Sequence, residues 1–236
     1  MNRLTLALDV MGGDIGPRIT IPASLSALEA DPMLSLVLFG DSQQISPLLE
    51  NAPSSLLERI QIHHCTKTID NNQGISHALR HSKGTSMRLA IEMVQKGEVQ
   101  GCVSAGNTGA LMGLSKVLLQ PLEGIQRPAL VSLLPSMTGD KTVMLDLGAN
   151  VECSAQNLYE FAIMGSIFAE NRLNLVYPRI ALLNIGVEEI KGHQSIREAA
   201  NLLEKSTALN YTGFIEGNFL LNGVADVVVS DGFSGN

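Results

Sequence analysis

The chain has 236 residues, of which 45% are hydrophobic, 17% charged and 4% aromatic, with no Trp and a formal net charge of −7. A core of that size fits one α/β domain over residues 1–236, and the acidic balance with so few aromatics excludes a nucleic-acid partner. Three cysteines, Cys65, Cys102 and Cys153, argue against a disulfide framework and for a reducing compartment; with no run near the ~20 apolar residues of a membrane span and no signal peptide, the expected location is cytoplasmic.

Six short apolar runs each end in glycine and a small polar or acidic residue. The first, Leu4 to Asp14 (LTLALDVMGGD), closes on a turn of Asp9, Gly12, Gly13 and Asp14. Leu36 to Asp41 (LVLFGD) is the second. The polar stretch Asp70 to Lys83 is expected to be a mobile loop entering a helix near the site. Thr85 to Lys96 repeats apolar residues at helical spacing and stops at Gly97, a C-terminal cap. Gly101 to Ala110 (GCVSAGNTGA) sets Ser104, Gly106, Asn107, Thr108 and Gly109 between a strand and the apolar helical run Leu111 to Leu119. Val143 to Asn150 (VMLDLGAN) carries Asp146, Gly148 and Asn150, and Ala155 to Leu175 reads as a helix. Ile180 to Gly186 (IALLNIG) leads through an acidic turn to Lys191, Gln194 to Thr207 reads as an amphipathic helix, and Val227 to Asn236 (VVVSDGFSGN) completes the set.

Near-continuous hydrophobicity over so few residues marks strands buried on both faces, which occur where helices cover a parallel sheet. The expected fold is α/β, a doubly wound, mostly parallel sheet flanked by helices. All six loops should then open at one carboxyl edge, where open α/β proteins bind ligands. A helix should follow the loop that reaches Asn236, so a C-terminal part of the domain is expected to be missing.

The residues at that edge suit a small anion. Backbone N–H groups at the helix start after Ser104 can face it, and glycine lets the chain approach closely. The loop has neither G-x-G-x-x-G nor G-x-x-x-x-G-K-[ST] spacing, which disfavours a dinucleotide or ATP site and with it a dehydrogenase on a related fold. Lys191 can reach the strand ends as a point charge for phosphate, or be a solvated lysine. Asp231 follows Val227 to Val229, where desolvation would suit a proton donor, or caps a turn. Cys153 could be a nucleophile, but no histidine neighbours it and a buried structural thiol is preferred. His77 and His81 share a helix face without a third ligand, so a solvated face is preferred and no metal is expected.

Taken together, LALDVMGGD (Leu6 to Asp14), SAGNTGALMG (Ser104 to Gly113), RPAL (Arg127 to Leu130), LDLGAN (Leu145 to Asn150), FAIMGS (Phe161 to Ser166), ALLNIG with the following KG (Ala181 to Gly192) and SDGFSGN (Ser230 to Asn236) closely resemble the phosphate acyltransferases of fatty acid and phospholipid synthesis. That resemblance implies a fold similar to phosphotransacetylase and isopropylmalate dehydrogenase, and transfer of an acyl group from acyl-[acyl carrier protein] to inorganic phosphate without a cofactor. It implies phosphate held by the glycine-rich loops and Lys191, with Gly232 and Asn236 as further binding residues; Arg88, in the helix that begins near Thr85 and Ser86, can separately point at phosphate. Backbone groups or the side chains of Asn150 and Asn107 would stabilise the oxyanion, and Asp231 would protonate the departing thiolate.

Family members continue beyond the GFxGN motif. A homodimer is implied, peripheral to the inner face of the membrane, handing its product to a membrane-bound glycerol-3-phosphate acyltransferase. The basic cluster of Arg80, Lys83, Arg88 and Lys96 is a candidate docking patch for the acidic carrier protein, against ordinary surface charge. A noncatalytic phosphate or carrier-protein binding module is the competing reading, since it would keep the loops without turnover.

Overall fold

The computed structural model describes residues 4–186 and 192–236. They fall into two compact units, divided between Gln120 and Pro121.

The first unit runs β1 (Leu4–Asp9), α1 (Pro17–Ala30), β2 (Leu34–Gly40), α2 (Ser42–Leu49), α3 (Ser54–Leu57), β3 (Ile60–His64), α4 (Ile75–His81), α5 (Ser86–Gln95), β4 (Gly101–Ser104) and α6 (Thr108–Leu119). Its sheet is wholly parallel, in the order β3-β2-β1-β4. The two-residue period of a strand sorts β2 between two cores. Leu36 and Leu38 pack with Ile21 and Leu28 of α1, while Val37 and Phe39 pack with Ala7 of β1 and Ala90 of α5. Burying a leucine such as Leu38 contributes about 1.5–3 kcal/mol. Because β4 lies on the side of β1 away from β2, the loops after β1 and β4 leave their shared edge in opposite directions. That is the switch point at which such sheets bind ligands.

The second unit contains β5 (Val131–Pro135), β6 (Lys141–Leu145), α7 (Ala155–Leu173), β7 (Arg179–Leu183), α8 (Gln194–Glu204), β8 (Asn210–Ile215), a 3-10 turn (Gly217–Phe219) and β9 (Val227–Val229). The sheet order is β5-β6-β9-β7-β8, with β5 antiparallel and the other strands parallel. Val143, Leu145, Val227 and Val229 face α7 and α8, while Met144, Val228 and Ala181 face the opposite side. At Gly165 in α7, a Cβ would lie 2.5 Å from Val227 Cγ1 and 2.9 Å from Leu145 Cδ2, so glycine lets the helix close on the sheet. Insertion of β9 between β6 and β7 makes the loops after β6 and β9 neighbours.

The alternation is as expected, and β2, β6, β7 and β9 are buried on both faces, but β4 is an edge strand with no fully buried residue and the six runs do not share one sheet. Three build the first sheet and three the second. Run hydrophobicity reports that a strand is covered on both faces and carries no information on which strand it pairs with. The stretch expected as a loop over Asp70 to Lys83 contains α4, and the helices over Thr85 to Lys96, Ala155 to Leu175 and Gln194 to Thr207 form with ends trimmed by one to three residues. Among the described residues, no helix is long and apolar enough to cross a membrane.

Candidate functional site

In the first unit, Asp9 and Ser104 end β1 and β4 in register. The Ser104 hydroxyl donates to Asp9 Oδ2 at 2.7 Å, and the Gly106 N–H donates to Ser104 Oγ at 3.1 Å. Asp9 is only 2% exposed, and its Oδ1 has no hydrogen-bond partner among the described residues. Gly12 closes over the pair: a Cβ there would lie 2.8 Å from the Gly106 nitrogen and 2.9 Å from Asp9 Oδ2. Gly13 follows at φ +87°. A carboxylate floor favours a hydrogen-bond donor over an anion.

Asn107 spends its whole side chain on structure. Its Oδ1 caps α6 by accepting from the Ala110 N–H at 2.9 Å, and its Nδ2 donates to the carbonyls of Asn71 and Gln73 at 2.9 and 3.0 Å. Asn71 in turn donates to Asp14 Oδ1 at 3.0 Å. The stretch expected to be mobile is thus pinned over the β1 and β4 turns. Thr108 and Gly109 open α6, and a Cβ on Gly109 would lie 2.6 Å from Ile75 Cδ1 of α4, so the exposed isoleucine side chain would have to shift to admit one. Arg88 is engaged along its own helix: its Nε forms an i,i+4 ion pair with Glu92 at 2.6 Å, and its Nη1 donates to Ser82 Oγ at 3.0 Å. His77 and His81 stack on the exposed face of α4, and no cluster of three or more His, Cys, Asp or Glu among the described residues could hold a metal ion.

In the second unit, Asp146 is wholly buried and organises the turn after β6. Its Oδ1 accepts from the N–H groups of Leu130 and Ala149, at 2.9 and 3.1 Å, and its Oδ2 from the N–H and Nδ2 of Asn150, at 2.6 and 2.8 Å. Four donors satisfy the burial of one carboxylate. Asn150 Nδ2 also donates to the Pro128 carbonyl at 2.8 Å, so both of its amide hydrogens are committed. The oxyanion donors expected from the side chains of Asn150 and Asn107 are accordingly already engaged within the fold.

The turn after β9 packs directly on this one. Gly232 N–H donates to the Asn150 carbonyl at 2.8 Å. A Cβ on Gly232 would lie 2.8 Å from that oxygen, and one on Gly235 would overlap the Asp146 carbonyl. Gly148, at φ +114°, faces Asn236 across the gap. Asp231 is half-buried, and its Oδ1 accepts from the Ser234 N–H at 2.7 Å. It borders a cavity of about 570 Å³ lined by Val151, Cys153, His193, Ser195 and Phe233. His193 and Phe233 are shared with a second, largely apolar cavity of about 600 Å³ that also touches Leu183, Ile185 and Ile196. Phe233 is 79% exposed, an apolar ring standing at the junction of the two.

Cys153 donates to the Asn150 carbonyl at 3.6 Å. Burial, then the carboxylates of Asp146 and Asp231, push its thiol up to about 11. It is therefore a thiol at neutral pH, which fits a structural residue and not a nucleophile. Lys191 lies outside the described residues. A residue that sequence reasoning left without a role is Arg127, whose Nη1 donates to the Glu152 carbonyl at 3.2 Å beside Asn150; the signal was present in the RPAL stretch.

A family model described as fatty acid synthesis protein matches residues 4–236. The chain is 79% identical over 236 residues to a phosphate acyltransferase of Pasteurella multocida (strain Pm70), covering all of this chain and 70% of the relative. It is 77% identical to a phosphate acyltransferase of Mannheimia succiniciproducens, with the same coverage. Among solved structures, a phosphotransacetylase from Streptococcus pyogenes superposes with a TM-score of 0.69 at 17% identity, covering 99% of this chain and 79% of that one. At that identity the likeness concerns the fold.

Proposed function

Because the chain belongs to the fatty acid synthesis protein family, whose curated relatives named above are phosphate acyltransferases, we propose that it transfers the acyl group of an acyl-[acyl carrier protein] to inorganic phosphate. Membership makes it an acyltransferase of fatty acid synthesis. The observation that supports the chemistry best is the packing of the Asp146–Asn150 turn against the Asp231–Asn236 turn beside a cavity.

Phosphate bound at this rim attacks the thioester carbonyl through one oxygen. A C–O bond forms, the tetrahedral intermediate collapses, and the C–S bond breaks to release the carrier thiolate. Asp231 takes the proton of the attacking phosphate and returns it to the thiolate. A free thiol has a pKa of about 8.5, so this leaving group needs little assistance, and holding phosphate and thioester together supplies most of the rate. Backbone N–H groups of the rim stabilise the oxyanion, while Asn150 keeps its turn in shape. Lys191 contributes positive charge toward phosphate. The glycine turn of Asp9, Gly12, Gly13 and Ser104 is proposed to bind a polar part of the substrate. Arg80 and Lys83, exposed at and beside the end of α4, offer the acidic carrier a docking surface; Arg88, paired with Glu92, is not part of it. The reading further places a homodimer in the cytoplasm at the membrane's inner face, passing acyl phosphate to a glycerol-3-phosphate acyltransferase.

The test is to incubate the protein with acyl-carrier thioester and phosphate and trap acyl phosphate with hydroxylamine. Hydroxamate should form only with phosphate present. Formation independent of phosphate, or unchanged rates in both Lys191→Ala and Asp231→Ala, would overturn the reading.

A further inference from the structure

An anion entering the rim of the second unit approaches the half-buried Asp231, so a described cation beside that rim would act together with the Lys191 proposed above. The positions of the described basic residues narrow the choice. Lys141 and Arg179 open β6 and β7, and Arg172 and Lys205 lie at the C-terminal ends of α7 and α8. All four therefore sit at the edge opposite the Asp146 and Asp231 loops. Arg197 lines a separate cavity with Glu198 and Glu204.

Arg127 is placed differently. It borders a cavity of about 720 Å³ together with Asn150, Cys153 and Ser154. Its Nη1 donates to the Glu152 carbonyl at 3.2 Å, and a guanidinium carries five N–H donors in a planar fork. It lies close enough to Cys153 for its charge to draw that thiol down, against the burial and the two carboxylates that push it up.

We infer that Arg127 holds phosphate oxygens at this cavity, clamping them with the guanidinium edge not used by Glu152, and so is a substrate-binding residue of the second unit. The inference rests on the acyl-transfer reading for the identity of the anion. Phosphate oxygens could belong to inorganic phosphate or to the phosphodiester of the carrier's prosthetic arm, and one experiment separates the sources.

Arg127→Ala, Arg127→Gln and Arg127→Lys are compared with the unaltered protein in steady-state acyl transfer. Phosphate is varied in one arm, acyl-carrier thioester in a second, and an acyl-pantetheine thioester lacking the phosphodiester in a third. Losing a charged hydrogen-bonding clamp should raise the relevant KM roughly 10- to 100-fold, with partial recovery in Arg127→Lys and none in Arg127→Gln, which can still donate to Glu152. A rise confined to phosphate assigns inorganic phosphate; a rise confined to the carrier thioester, absent with pantetheine, assigns the phosphodiester. Either supports the inference. Calorimetric titration of inorganic phosphate and of free phosphopantetheine into each variant reads the same site without turnover, so a protein inactive in acyl transfer still reports on Arg127. KM values and affinities within twofold of the unaltered protein would overturn it. So would a fall in kcat alone that Lys does not rescue, because that pattern marks a structural role at Glu152.

Discussion

One oxygen of the Asp146 carboxylate takes both the backbone N–H of Asn150, at 2.6 Å, and its side-chain amide, at 2.8 Å, so this pair of residues ties the two ends of the turn after β6 together. Asn150→Ala keeps the first bond and loses the second, along with the bond to the Pro128 carbonyl. The expected cost is about 2 kcal/mol, seen as a lower urea midpoint with an unchanged m-value. Asn150→Asp should cost more than Asn150→Ala, because it sets a second carboxylate against Asp146. Equal stability of the two variants would contradict this account of the turn.

Close approach at Gly235 makes a sharper prediction. An alanine methyl there would overlap the Asp146 carbonyl and meet Ser230 Oγ, so Gly235→Ala must push the two turns apart. A loss of about 1–3 kcal/mol is expected, together with a marked fall in acyl transfer. Gly217→Ala, where nothing lies within 4 Å of the new Cβ, is the matched control and should be neutral by thermal unfolding.

At Asn107 the two ends of one side chain can be tested separately. Asn107→Asp retains the oxygen that caps α6 but turns a carboxylate oxygen toward the carbonyls of Asn71 and Gln73. Amide hydrogen exchange should accelerate over residues 70–74 with little change in α6. Asn107→Ala should accelerate exchange in both, since removing an N-cap costs about 1 kcal/mol. Unchanged exchange at 70–74 in the aspartate variant would show that the loop is held by something else.

The thiols set an alkaline limit. Burial first, then nearby carboxylates, hold Cys65 and Cys153 up to about 11 against an ordinary 9.0. A raised pKa in the folded state means the fold favours the neutral thiol. This contribution to stability is complete below pH 9 and is lost as the pH rises through about 11. Denaturant midpoints should fall over that interval, and the fall should flatten in the Cys65→Ala, Cys153→Ala double variant. Iodoacetamide should modify both cysteines far more slowly in the native protein than in urea at neutral pH.

How far the sequence revealed this arrangement depended on burial. The runs around Leu38, Met144 and Val228 announced themselves because both faces of their strands are covered. The strands that escaped notice, β3, β5 and β8, are sheet edges with mixed exposure, where no continuous apolar run is needed. Asp146 and Gly232 were visible as turn residues. Their function of bracing one turn against another was not, because it depends on β9 sliding between β6 and β7. Arg88 read as a phosphate ligand from its place near the start of a helix, whereas in the structure Glu92, one helical turn later, pairs with it.

The placement of β9 also bears on how the chain acquires its structure. Val143 and Leu182 need Val227 and Val229 beside them, so the middle of the second sheet stays open until the strand synthesised after all its neighbours has left the ribosome. The four described strands of the first sheet have all emerged once β4 has. Folding of the second unit must therefore wait on contacts far apart along the chain, and it should be the slower half and the one more exposed to aggregation during synthesis.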